Sequence, residues 1–140
     1  MLIIANWKEN PLSLKEAEDL FSAMPKKDNV VICPPAPFLY LGRDVTLGAQ
    51  DCSTEIRGSF TGEVSAKMLK SLGCEYVILG HSERRSLGES KDTIKRKIEA
   101  ALLAELKPIL CIDKIEQLEE DFKDVIIAYE PLSAIGSGSA

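Results

Sequence analysis

The 140-residue sequence predicts an α/β chain of parallel strands and amphipathic helices, and three observations carry that expectation. Apolar runs such as Val30-Val31-Ile32-Cys33 and Val77-Ile78-Leu79 do not alternate with polar residues, so they read as strands buried on both faces. Between such runs lie segments whose apolar residues recur at three- and four-residue spacing, as in helices packed by one face. Residues able to do chemistry, Asn6, Lys8, Gln50, His81 and Glu130, each fall at the carboxyl end of a predicted strand. Strands alternating with helices imply parallel pairing and βαβ units, and in such folds function gathers at the carboxyl ends of the strands.

In chain order, Leu2 to Ala5 reads as a buried strand. Ser13 followed by Glu16 has the spacing of a capping box, opening a helix with Ala17, Leu20, Phe21 and Met24 on one face until Pro25 stops it. The second strand, Val30 to Cys33, ends at Pro34-Pro35, and Phe38 to Leu41 reads as a short helix. Val45 to Gln50 is the third strand. A long polar loop, Asp51 to Phe60, hints at a functional or interface role and precedes a helix expected near Thr61 with Val64, Met68, Leu69 and Leu72 inward. After the fourth strand, Ser90 starts the clearest helix, with Ile94, Ile98, Ala101, Leu102 and Leu106 at helical spacing and a charged outer face. Pro108 to Ile112 is the fifth strand. Ile115, Leu118 and Phe122 suggest a short helical stretch before Val125 to Tyr129, the sixth, and the tail from Glu130 to Ala140 has the small, Gly/Ser-rich composition of a mobile loop.

Length fits a single domain, 1–140, with room for a real core. A 45% hydrophobic and 28% charged composition is that of a soluble globular protein, and no apolar run approaches the roughly 18 residues of a membrane span. The N-terminus lacks the basic region of a secretory signal, which places the chain in the cytoplasm. Net charge −5 argues against a general nucleic-acid or anionic-membrane surface, so an anionic substrate needs a local cluster of cations. Cys33, Cys52, Cys74 and Cys111 lack C-x-x-C spacing and have one histidine for company, so they are expected to be reduced, largely buried thiols rather than zinc ligands or disulfides.

That one histidine stands in Tyr76-Val77-Ile78-Leu79-Gly80-His81-Ser82-Glu83-Arg84-Arg85, where a buried strand turns polar at once. Gly80 lets the backbone leave the sheet, and Ser82-Glu83 reads as the first turn of a helix, whose free N–H groups favour negative charge and disfavour an imidazolium. A lone histidine is more often a hydrogen-bonded structural residue. Taken singly, Lys8 and Glu83 are ordinary surface charges, Glu130 an element terminus, and Gly136 and Gly138 flexible tail.

Four segments in order change that reading. Asn6-Trp7-Lys8, the run Gly58 to Ser65, the run Ile78 to Arg85, and Ala128-Tyr129-Glu130-Pro131 followed by Ala134 to Gly138 together resemble the triosephosphate isomerase family along nearly the whole chain. The resemblance implies a TIM-type (β/α) barrel and interconversion of dihydroxyacetone phosphate and D-glyceraldehyde 3-phosphate through an enediolate. By resemblance Glu130 is the base, Lys8 stabilises the enediolate and helps hold the phosphate, Asn6 donates a hydrogen bond, and Gly136 belongs to the substrate-binding lid. His81 would act as a neutral hydrogen-bond donor to the substrate oxygens, as the histidine at this place in that family is known to do. Pro131 keeps Glu130 extended, and Cys111 resembles a buried family cysteine. No metal or organic cofactor is required. The segment like Phe60-Thr61-Gly62-Glu63 reaches into a neighbouring subunit in the family, implying a homodimer with Glu63 and Arg84 paired across it; alternatively the loop folds back on its own chain.

The chain departs from the family in extent. Such barrels have eight strands and about 250 residues, whereas six strands are legible here, the stretch between the fifth and sixth is short, and Ser133 replaces a tryptophan usual in the lid hinge. The lid's second hinge and the later serine and glycine loops that grip phosphate are absent, which should weaken turnover as well as affinity. First and sixth strands are expected as bare edges. Another chain or a second copy supplying strands, closure of six strands alone, or a fragment of a longer gene are the three resolutions. The competing functional expectation is a catalytically impaired, self-associating structural fragment lacking the C-terminal phosphate-binding loops.

Overall fold

A computed structural model describes residues 1–118 and 123–131. Its framework is one six-stranded sheet in sequence order: β1 (Ile3–Asn6), β2 (Val30–Cys33), β3 (Thr46–Ala49), β4 (Cys74–Leu79), β5 (Lys107–Ile112) and β6 (Ile126–Tyr129). All five pairings are parallel, so every strand's carboxyl end lies on one rim. The sheet curls into a half-barrel, the fragment of a TIM-like fold that the sequence predicts.

Alternation along the strands sorts side chains onto two faces. On the concave face Val31, Cys33, Tyr76, Ile78, Ile109 and Cys111 pack against one another. Gly48 permits that tight curvature, because a Cβ there would stand 2.5 Å from Cys33 Sγ and 2.9 Å from Val31 Cγ1. The convex face, with Ile32, Leu47, Val77, Leu79 and Leu110, is covered by helices.

Among the described residues the α-helices are α1 (Leu14–Ala23), α2 (Ala66–Ser71), α3 (Ser82–Ser86) and α4 (Lys91–Leu103); α1, α2 and α4 bury residues in that core, and α3, at the rim, buries none. Ser13 caps α1 by accepting from the Glu16 N–H, as its spacing predicts, while the Glu16 carboxylate accepts from Leu12 N rather than Ser13 N. Ala17 and Phe21 bury, but Leu20 faces solvent at the margin of the stripe. A 3-10 turn at Ala36–Leu41 follows β2, a residue or two ahead of expectation.

The helix expected near Thr61 begins only at Ala66. Ser65 supplies the cap through Met68 N, Gly62 lies at φ +90°, and the Val64 carbonyl is taken by Ser53 N, so residues 61–64 are held in the loop. Leu69 is buried as expected, whereas Met68 and Leu72 are exposed. In α4, Ile94, Ile98 and Ala101 bury as predicted and Leu102 lies at the exposed margin. Not every charge of this helix lies on the outer face: Lys97 is buried.

The first strand is not buried throughout: Ile3 is 46% exposed because β1 is an edge of the sheet among the described residues. The opposite edge, β6, exposes Ile127 and Tyr129. Between β5 and β6 the described chain has only a 3-10 turn, Ile115–Gln117, with Ile115 and Leu118 exposed; Phe122 lies outside the described residues, as do the Gly/Ser-rich tail, Gly136 and Gly138. Among the described residues, no helix is long and apolar enough to cross a membrane.

Candidate active site

Past β1 the chain stays tied to its neighbour, Trp7 N donating to Cys33 O at 3.0 Å, and then turns left-handed at Lys8, φ +55°. A non-glycine residue there costs about 1–3 kcal/mol, so something must hold it. Asn6 Oδ1 accepts from Lys8 N at 2.9 Å, and the Gln50 amide donates to Lys8 O at 2.8 Å and Cys33 O at 2.9 Å. Three hydrogen bonds of about 1 kcal/mol each are of the size required. The Lys8 ammonium is thereby directed across the rim to Glu83 Oε1, 2.7 Å away.

At the end of β4, Gly80 (φ +64°) redirects the backbone so that His81 becomes the N-cap of α3. Its Nδ1 accepts from the Glu83 N–H at 3.3 Å, an orphan donor of the first helical turn. That leaves Nε2 as the nitrogen carrying the proton of a neutral ring. The ring is mostly enclosed, and Nε2 stands 3.6 Å from Glu130 Oε2. Glu130 is set at the end of β6 by its N–H, which donates to Ile112 O at 2.8 Å.

Asn6, Lys8, His81 and Glu130 are therefore brought to one rim, linked in series through Glu83. Asn6, Lys8, Gln50, His81, Glu83 and Arg84 border a cleft of about 770 Å³, and Glu130, next to His81, borders a separate small gap with Gly80, Ser82 and Cys111. The Lys8 hydrogen bond holds the Glu83 carboxyl below the usual glutamate range. Gly136 lies outside the described residues.

Behind the cleft is a charged cluster. The Lys97 ammonium meets Asp51 Oδ1 at 2.7 Å and Glu89 Oε1, and Arg84 meets Asp51 Oδ2 at 3.0 Å. Burial opposes a charge on Lys97, but the hydrogen bonds it donates to Asp51 and Glu89 outweigh that and hold its pKa above the ordinary lysine value. Burial pulls Asp51 upward despite the Lys97 bond. Two cations donate to that carboxylate, so the ionised form is the one the geometry fits. Arg84, expected opposite Glu63 of a neighbouring subunit, is thus engaged within its own chain.

Sequence reasoning put Gln50 on the rim without a task and missed the Lys97 cluster. A signal existed: Lys97 lies three residues after Ile94 and four before Ala101, on the spacing of the buried stripe. Among the described residues no group of three His, Cys, Asp or Glu could hold a metal. The four cysteines are free and buried, as expected, and burial pushes the Cys33 and Cys111 thiols up to about 12.

Fold and rim define the class: a chain of the (β/α) barrel type, with an amide, a cation, a histidine and a carboxylate at the carboxyl ends of its strands. The family model of triosephosphate isomerase matches residues 1–140. The chain is 41% identical to the triosephosphate isomerase of Aquifex aeolicus over 172 aligned positions, covering 99% of this chain and 69% of the relative, and 38% identical to that of Gluconacetobacter diazotrophicus, covering 99% and 68%. Its backbone superposes on the crystal structure of triosephosphate isomerase from Bartonella henselae with TM-score 0.84 at 32% identity, over 95% of this chain and 68% of that one. The chain belongs to the triosephosphate isomerase family. Its 140 residues match across 172 positions of the Aquifex relative, so the relative carries residues inside the matched region that this chain lacks.

Proposed function

We propose that this chain interconverts dihydroxyacetone phosphate and D-glyceraldehyde 3-phosphate. The observation that carries the reading is the 3.6 Å approach of Glu130 Oε2 to His81 Nε2, with the Lys8 ammonium on the same rim. The Glu130 carboxylate removes a proton from the carbon beside the carbonyl and returns it to the neighbouring carbon. The electron pair left behind moves onto the carbonyl oxygen, where the His81 Nε2–H and the Lys8 ammonium oppose the developing negative charge, and the proton of the neighbouring hydroxyl passes to that oxygen as the new carbonyl forms. Since Asn6 Oδ1 already accepts from Lys8 N, its amide NH2 is the group available to a substrate oxygen. Substrate phosphate must compete with Glu83 for Lys8. Gly136 would contribute from the lid, Cys111 serves packing, and no cofactor takes part.

The second reading is a self-associating fragment that keeps this rim without turnover. Its support is the open sheet, in which β1 and β6 lack strand partners on their outer sides among the described residues. A homodimer, or a second chain adding strands, would cover those edges. A coupled assay of triose phosphate interconversion decides between them. The isomerase reading expects turnover that falls by about 10³-fold or more in Glu130→Gln, the scale of losing a general base. A folded oligomer with no turnover above buffer supports the fragment.

A further inference from the structure

Pairing between β4 and β5 ends at Leu79 and Leu110. Beyond that point Gly80 turns away at φ +64° and the two strand ends diverge toward His81 on one side and Ile112 on the other. The Arg85 side chain bridges the gap from the last turn of α3: its Nε donates to Gly80 O at 2.6 Å and one terminal nitrogen donates to Cys111 O at 3.1 Å. We propose that Arg85 is a positioning residue, stapling the carboxyl ends of β4 and β5 so that His81 is held against Glu130.

Each end of the staple is one residue from the rim. Gly80 precedes His81, and Cys111 precedes Ile112, whose carbonyl accepts from Glu130 N at 2.8 Å. The chain of fixed geometry runs from His81 through Gly80, Arg85, Cys111 and Ile112 to Glu130, crossing three strands. Gly80 leaves room for the guanidinium, since a Cβ there would lie 2.8 Å from it. Arg85 and Glu130 also border the same small gap, with Gly80, Ser82 and Cys111 between them. The Cys111 thiol senses both: after burial, Glu130 raises its pKa and Arg85 lowers it. A lysine keeps the charge but not the planar fork that reaches two carbonyls at once.

The proposal rests on the isomerase reading for its catalytic consequence, yet the coupling itself is measurable without turnover. His81 is the only histidine, so its nitrogen resonances are assigned without ambiguity. At one fixed pH, Glu130→Gln is expected to displace the His81 Nε2 resonance, and in an Arg85→Lys background that displacement should fall by at least half. Arg85→Met should abolish it; if that variant does not fold, the lysine variant decides. In the assay, kcat of Arg85→Lys should drop about tenfold or more with KM little changed, because Arg85 moves the base relative to the histidine without lining the cleft. Equal displacement with and without Arg85, or none in the parent, overturns the proposal. Absence of turnover in the parent would count against the isomerase reading while the resonance comparison still decides the role of Arg85.

Discussion

At the scale of single residues, the least replaceable group outside the rim is Lys97. Its side chain and that of Glu89 are each about 95% enclosed, and Asp51 depends on Lys97 and Arg84 for its charge partners. Breaking a buried ion pair typically costs 3–5 kcal/mol, and Arg84, which still faces Asp51 and Glu89 once Lys97 is gone, holds the loss to the lower part of that range. Lys97→Met is therefore expected to destabilise the fold by about that amount in urea unfolding at neutral pH, although it keeps most of the side chain's volume. The sign with pH follows from the raised Lys97 pKa. A lysine raised in the fold contributes stability that is complete below the unfolded lysine value, about 10.4, and lost as pH rises through the higher folded value. The gap between parent and variant should thus be constant from neutral pH to about 10 and narrow only above it. A gap that closes already near neutrality would contradict the charged assignment.

At the scale of elements, serine caps punctuate the helices that cover the sheet. Ser90 Oγ accepts from Thr93 N at 3.1 Å and starts α4, whose Ile94, Ile98 and Ala101 close the convex core. Ser90→Ala is expected to lower stability by about 1 kcal/mol, read as a shift in the urea midpoint with unchanged slope. Such caps also explain what the sequence made legible. Ser13 and Ser90 precede periodic apolar residues, so those helix starts could be read directly, and the apolar runs of β2 and β4 could be nothing but buried strands. Ser65 is not legible as a cap, because Val64 before it already fits the helical spacing; only the Ser53 to Val64 hydrogen bond shows that the preceding residues belong to the loop. Strand-end logic brought Asn6, Lys8, His81 and Glu130 to one rim, because parallel topology makes that inference almost independent of detail. It could not assign Gln50, whose two bonds run to backbone carbonyls distant in sequence, nor Arg85, whose partners are defined only once β4 and β5 stand side by side.

At the scale of the whole molecule, the balance is between a concave face whose centre is buried and two edges that are not. Gly48 lets β2, β3 and β4 curl until Cys33, Tyr76 and Ile78 bury one another, while Ile4, Ile126 and Ala128 at the two ends of that face stay only partly buried. At β1 and β6, however, backbone groups on the outer side have no strand partner among the described residues, and Ile3, Ile127 and Tyr129 are exposed beside them. Unprotected parallel edges flanked by apolar side chains recruit other chains, and a net charge of −5 is a weak, screened deterrent at physiological salt. Self-association through β6 is the expected outcome. Ile127 pairs with Leu110 across the last strand junction and is 40% exposed, so a lysine there can extend to solvent while adding charge at the edge. Ile127→Lys should reduce the associated fraction in sedimentation velocity by at least half, with a change in monomer stability of no more than about 1 kcal/mol. Matching profiles for parent and variant would move the contact away from β6, and a parent that sediments as a monomer would leave both edges closed by something other than a second copy.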